Sequence, residues 1–195
     1  ESPTPERTRM TTQFFDLMCD VECLGKGEDA ALVSLGAVFF DLKTQTMGPT
    51  FLRTINLATA VRDGGTMDPS TVIFWLRQGD EARHSIAYNG QDIRKVLADF
   101  SDWIKETCRH EDVRPYGNSA SFDLPKIASA CKRADLPVPW HYVHERCFRT
   151  MRAMYPSVEY NPADKGTGNH NALEDAKFQV SHLFKIANRN KAKNA

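Results

Sequence analysis

The feature that most limits the fold of this chain is a pair of apolar runs, residues 14–21 and 32–40. Both are rich in Phe, Val and Leu, and the turn sequence Gly25-Lys26-Gly27-Glu28-Asp29 separates them. Runs this short read as buried strands, and the Gly-containing turn makes them neighbours in a sheet. Residues 46–55 read as a third strand, so the chain opens with an antiparallel meander. Helical spacing then takes over. Asp68-Pro69 is an N-cap followed by Pro at the first helical position, with Val72, Ile73, Trp75 and Leu76 as the apolar side and Gly79 as the stop. A short helix is expected at 80–86. Within 92–108, Ile93, Val96, Leu97, Phe100 and Ile104 recur at the spacing of an amphipathic helix that packs on the sheet. The pattern continues with a strand at 113–116, a helix at 122–134, a strand at 140–144 and a helix at 148–155. Residues 156–171, with Pro and Gly and little apolar content, read as a mobile loop. A last helix at 172–188 carries Leu173, Ala176, Val180, Leu183, Phe184 and Ala187 as its buried stripe. This order predicts an α/β domain built on a mixed five- or six-stranded sheet flanked by helices.

At 195 residues, with 41% hydrophobic and 26% charged, the chain suits one core. The expected division is a flexible segment at 1–10, a single domain at 11–188 and a basic polar tail at 189–195. Lys plus Arg equals Asp plus Glu at 25 each, so no global positive field announces a polyanionic partner. The five cysteines, Cys19, Cys23, Cys108, Cys131 and Cys147, are odd in number and lie mostly in apolar runs, which favours a reducing, cytoplasmic setting. No apolar run approaches the roughly 20 residues that span a bilayer, and no signal core is expected at the start.

Three acidic fragments carry the chemistry. Asp20 and Glu22 are two apart at the end of the first strand, so period-2 geometry puts both side chains on one face, where a metal could bridge them. Two surface acids ending a strand is the plainer reading of that pair taken alone. Asp123 opens a predicted helix with Pro125 in its first turn, a place that also suits an acid for helix capping. Asn118 and Ser119 lie in the turn that leads to it. His170 and Asp175 are five apart, about 140° around a continuous helix. They can face one site only if the helix begins at Asn171, a good N-cap with Glu174 completing a capping-box-like pair. His170 is then left on the preceding loop and Asp175 in the first turn, where the helix dipole also favours an acid.

Around these, Cys23, Leu24 and Gly25 follow the first acidic pair, and Gly25 allows close backbone approach to a substrate. Asn118, Phe122 and Trp75 complete the residues expected on the substrate side. Trp75 and Phe74 suit the core, as most aromatics on a helix face do, with stacking against a nucleobase as the minority reading. His110, His141 and His144 pair with no Cys or acid at metal spacing.

The order Asp20-x-Glu22, Asp123, then His170 with Asp175 in His-x-Ala-x-x-Asp resembles the DEDDh branch of the DnaQ-like 3'-to-5' exonucleases, which have a ribonuclease-H-like fold. The segment Asp68-Pro69-Ser70-Thr71-Val72-Ile73-Phe74-Trp75 is similar to that of phage and bacterial exoribonucleases related to RNase AS. The resemblance implies a two-metal-ion hydrolysis of single-stranded RNA or DNA from a free 3' end, releasing nucleoside 5'-monophosphates. It implies Asp20, Glu22, Asp123 and Asp175 as ligands of two Mg²⁺ ions, with Mn²⁺ as substitute, and His170 as general base. Many relatives are homodimers, and none of these traits calls for a membrane. Where many members carry Thr after Asp-x-Glu, this chain has Cys23. A nucleic-acid-binding or scaffold domain that keeps the fold without turnover is the alternative.

Overall fold

The computed structural model describes residues 13–161 and 170–193. The expected N-terminal segment 1–10 and the middle of the expected loop 156–171 lie outside these residues. The sheet has five strands in the order β3-β2-β1-β4-β5. β1 (Asp16–Cys23) pairs antiparallel with β2 (Leu32–Asp41), which pairs antiparallel with β3 (Thr46–Thr54). On its other side β1 runs parallel to β4 (Arg114–Gly117), and β4 runs parallel to β5 (Arg146–Cys147).

Alternation along the central strands divides the core. Leu17, Cys19, Val21 and Cys23 of β1, with Leu35, Ala37 and Phe39 of β2, pack under α4 (Ile93–Thr107) and α5 (Asp123–Arg133). Met18, Val38 and Phe40 face the other way, onto α6 (Phe148–Met154) and the long helix α7 (Ala172–Lys193). Asp20 and Glu22 share the parity of Met18, so they lie on the α7 side of a strand covered on both faces. Because β1 and β4 are parallel while β2 departs on the opposite side, their carboxyl ends open a crevice where the chain changes direction across the sheet.

One contact sets how closely α7 approaches. Gly36 of β2 is the cross-strand partner of Asp20, and a Cβ there would lie 2.3 Å from the Ala172 carbonyl carbon and from the Leu173 nitrogen. Only a residue without a side chain lets the first turn of α7 rest against the sheet at this level.

The chain departs from expectation in three places. α1 (Leu57–Arg62) was not foreseen; its signal is Asn56, whose Oδ1 accepts the Ala58 N–H at 2.9 Å. Residues 140–144, expected as a strand, instead hold a 3-10 turn at Tyr142–His144. There the Trp140 indole N–H donates to Glu145 at 2.9 Å and the His141 ring caps Val143, so local bonds replace a ladder, and the last strand is only Arg146–Cys147. Finally, α7 continues to Lys193, past the expected end at 188 and into the expected tail, because Arg, Lys and Ala are all good helix formers. The short helices α2 (Pro69–Leu76) and α3 (Asp80–Ala87) form as read. Among the described residues, no helix is long and apolar enough to cross a membrane.

Gly36→Ala drives a methyl into the α7 backbone, and the overpacking is expected to cost about 1–3 kcal/mol. Urea unfolding reads the loss; an unchanged midpoint would mean that α7 does not rest on this strand.

Candidate active site

The turn after β1 is stitched to the start of α2. The Asp68 N–H donates to the Leu24 carbonyl at 2.8 Å, and Ala31 N–H to Thr66 carbonyl at 2.8 Å. Asp68 then caps α2 through Oδ1, which accepts from Ser70 and Thr71, and pairs with Lys26 at 3.2 Å. The Trp75 indole N–H closes the arrangement by donating to the Cys23 carbonyl at 3.0 Å. The end of β1 is thereby held from outside while α7 closes it from the sheet face.

At this end Asp20, Glu22 and Asp175 meet: each offers an oxygen, and these atoms lie within 4.8 Å of one another. Asp20 is buried and the other two half-buried. Three carboxylates this close repel unless a cation intervenes, and an oxygen-only donor set fits a hard divalent ion of the Mg²⁺ or Mn²⁺ kind. Asn171 caps α7 as the sequence suggested, its Oδ1 accepting from Leu173 at 3.1 Å and Glu174 at 3.2 Å, which fixes Asp175 in the first turn.

Asp123 stands beside this group and outside it. It is buried at the start of α5, with Oδ1 accepting the Val21 N–H at 3.3 Å and Oδ2 the Asn118 N–H at 2.6 Å. Burial pushes its carboxyl up to about 6, against the pull of the surrounding backbone donors. Gly117 leaves room for it, since a Cβ there would sit 3.2 Å from the Asp123 carboxylate.

His170 precedes the cap in the left-handed region, φ 63°, a conformation that His tolerates better than most residues. Its ring meets Phe74 edge-on at 5.2 Å and Trp75 at 5.5 Å. The imidazole is thus braced by α2, a contact that nothing in the sequence pattern foretold.

The expected substrate-side residues separate. Trp75 is 4% exposed and belongs to a small cluster with Leu24 and Val33, so its ring is not open for stacking; the exposed ring on this helix is Phe74, at 43%. Cys23 points into the opposite core, where its thiol donates to the Gly25 carbonyl at 3.2 Å and burial raises its pKa, so it does not replace a hydroxyl facing the carboxylates. Gly25 is required by packing, since a Cβ would meet the Thr66 carbonyl at 2.8 Å. Asn118 serves through its backbone, which holds Asp123. Phe122 keeps an exposed face, with the Lys126 ammonium 4.0 Å from its ring centroid. Lys126 itself is fully buried and donates to the Lys26 carbonyl at 3.1 Å, a cation tied to the turn after β1 that the sequence reading missed. Gln179, also missed, donates to Asp20 Oδ1 at 2.8 Å. Its signal was a polar residue among the apolar positions of the last helix.

The family model of the 3'-5' exoribonuclease Rv2179c-like domain matches residues 15–187. An exodeoxyribonuclease of Enterobacteria phage T4 is 26% identical over 126 residues, 57% of this chain and 53% of that protein, so the chain spans about half the length of this curated relative. Among solved structures, the zinc-bound E. coli ExoI–ssDNA complex is similar at 15% identity and TM-score 0.67, covering 92% of this chain and 42% of the other. The nuclease domain of 3'hExo, a DEDDh family member bound to rAMP, is similar at 12% identity and TM-score 0.58, covering 92% and 94%. These likenesses bear out the ribonuclease-H-like fold and the DEDDh resemblance.

If the three clustered carboxylates hold a divalent ion, Mg²⁺ at about 100 times its Kd stabilises the protein by about 2.7 kcal/mol, and Asp175→Asn loses that gain. Thermal unfolding with and without Mg²⁺ checks this; an equal shift in both proteins would exclude Asp175 from the site.

Proposed function

The chain belongs to the family of the 3'-5' exoribonuclease Rv2179c-like domain, and on that premise we propose that it is a metal-dependent 3'-5' exonuclease acting on single-stranded RNA or DNA. Its products would be nucleoside 5'-monophosphates, released one at a time from the 3' end. The observation that carries this reading is the convergence of Asp20, Glu22 and Asp175 within 4.8 Å, at the carboxyl end of the central strand. Asp20, Glu22 and Asp175 would hold one Mg²⁺, with Mn²⁺ as substitute. Asp20 with Asp123 would hold a second, Asp123 through water, in keeping with the two amide donors that already engage its oxygens. Bound there, divalent ions would activate a water and offset the charge that develops on the leaving oxygen.

The chain's own groups do the rest. His170 accepts the proton of the attacking water, a role suited to an imidazole near neutral pH. Its edge contacts with Phe74 and Trp75 orient the ring. Phe74 presents an aromatic face next to His170, and a nucleobase stacked on such a face gains about 1–3 kcal/mol. Phe122 offers a second exposed ring, steadied by Lys126. The presence of all five motif residues argues against a domain that binds or scaffolds without turnover.

The test is degradation of matched single-stranded RNA, single-stranded DNA and duplex, labelled at either end. Asp20→Ala is expected to abolish mononucleotide release, and His170→Ala to slow turnover about 10²- to 10⁴-fold while Mn²⁺ binding persists. Full activity in Asp20→Ala, or digestion from the 5' end, would overturn the proposal.

A further inference from the structure

We propose that Gln179 is a positioning residue that orients the Asp20 carboxylate for metal binding; this inference rests on the metal-dependent reading above. Gln179 lies one helical turn beyond Asp175 on α7 and is 4% exposed. Its Nε2 donates to Asp20 Oδ1 at 2.8 Å. The other end of the amide, Oε1, is buried and has no hydrogen-bond partner among the described residues.

Its neighbours on the same buried side of α7 are Ala172, Ala176, Val180 and Leu183, none more than 1% exposed. A Leu or Met among them would bury apolar surface with no polar atom at stake, whereas a buried amide with one end unmet is costly. What the glutamine gains for that cost is the bond to Asp20. Chemistry also fixes the direction of the amide. Turned over, it would set Oε1 against a carboxylate oxygen, two acceptors facing each other.

The terminal torsion of an aspartate is broad, so an unrestrained carboxylate samples many planes. A donor on Oδ1 selects one of them. Asp175 and Gln179 share a helix, so α7 both supplies one acid and orients another that belongs to β1. Contacts to ligating groups commonly set metal affinity as strongly as this role requires.

The experiment titrates Mn²⁺ alone into the full chain by calorimetry, with no substrate, for wild type, Gln179→Met and Gln179→Asn. Methionine removes the donor in surroundings where its flexible thioether packs readily. Asparagine keeps the amide but withdraws it by one methylene. Both variants are expected to bind Mn²⁺ about 10- to 100-fold more weakly, while each still unfolds cooperatively in the absence of metal. Wild-type Mn²⁺ affinity in either folded variant overturns the role of Gln179 and leaves the carboxylate site standing. No Mn²⁺ binding by wild type would instead remove the reading on which this inference rests, and the inference with it.

Discussion

The whole site depends on how closely the first turn of α7 can lie against the sheet. Gly36 makes that contact, because any Cβ there would occupy the backbone of Ala172 and Leu173. Gly36 is also the register partner of Asp20. The helix therefore comes to rest at the level of the acid it must reach, and Asp175, three residues into α7, is carried to Asp20 and Glu22. Backbone packing between a strand glycine and a helix start thus brings together acids more than 150 residues apart in sequence.

The rest of the arrangement follows from a central strand buried on both faces. One parity of β1 supplies core to α4 and α5, and the other is free to carry polar groups only where α7 and the crevice can receive them. Three carboxylates within 4.8 Å repel one another unless a cation intervenes, and burial raises the Asp123 carboxyl beside them. The structure meets this strain with dipoles: backbone amides on Asp123 and the Gln179 amide on Asp20. A buried Lys126 ammonium lies on the other side of the turn. The amide donors steady the Asp123 and Asp20 carboxylates without using up the capacity that a divalent ion would fill.

Much of this was legible in the residues themselves. The meander, the Asp68 cap, the amphipathic α4 and the Asn171 cap all rest on local patterns, and local patterns survive folding when packing agrees with them. Asp20 and Glu22 shared a face because period 2 requires it, and His170 fell outside α7 because Asn171 is the better cap. The misses have a common cause. Residues 140–144 look like a strand by composition, yet Tyr142 and Val143 are exposed and the Trp140–Glu145 bond favours a turn. Cys23 adjoins the first acidic pair along the chain, and Trp75 is an aromatic on a helix face where stacking is the minority reading, yet both side chains turn into packing. Gly36, Lys126 and Gln179 act on residues about 100 or more positions away, and no spacing rule reaches that far.

If the acids gathered by α7 and β1 form a divalent-ion site, anomalous diffraction from crystals equilibrated with Mn²⁺ shows a peak bonded to carboxylate oxygens of Asp20, Glu22 and Asp175 at about 2.1 Å, the distance of a small hard cation. A map with no peak among these three residues at saturating Mn²⁺ would rule the site out.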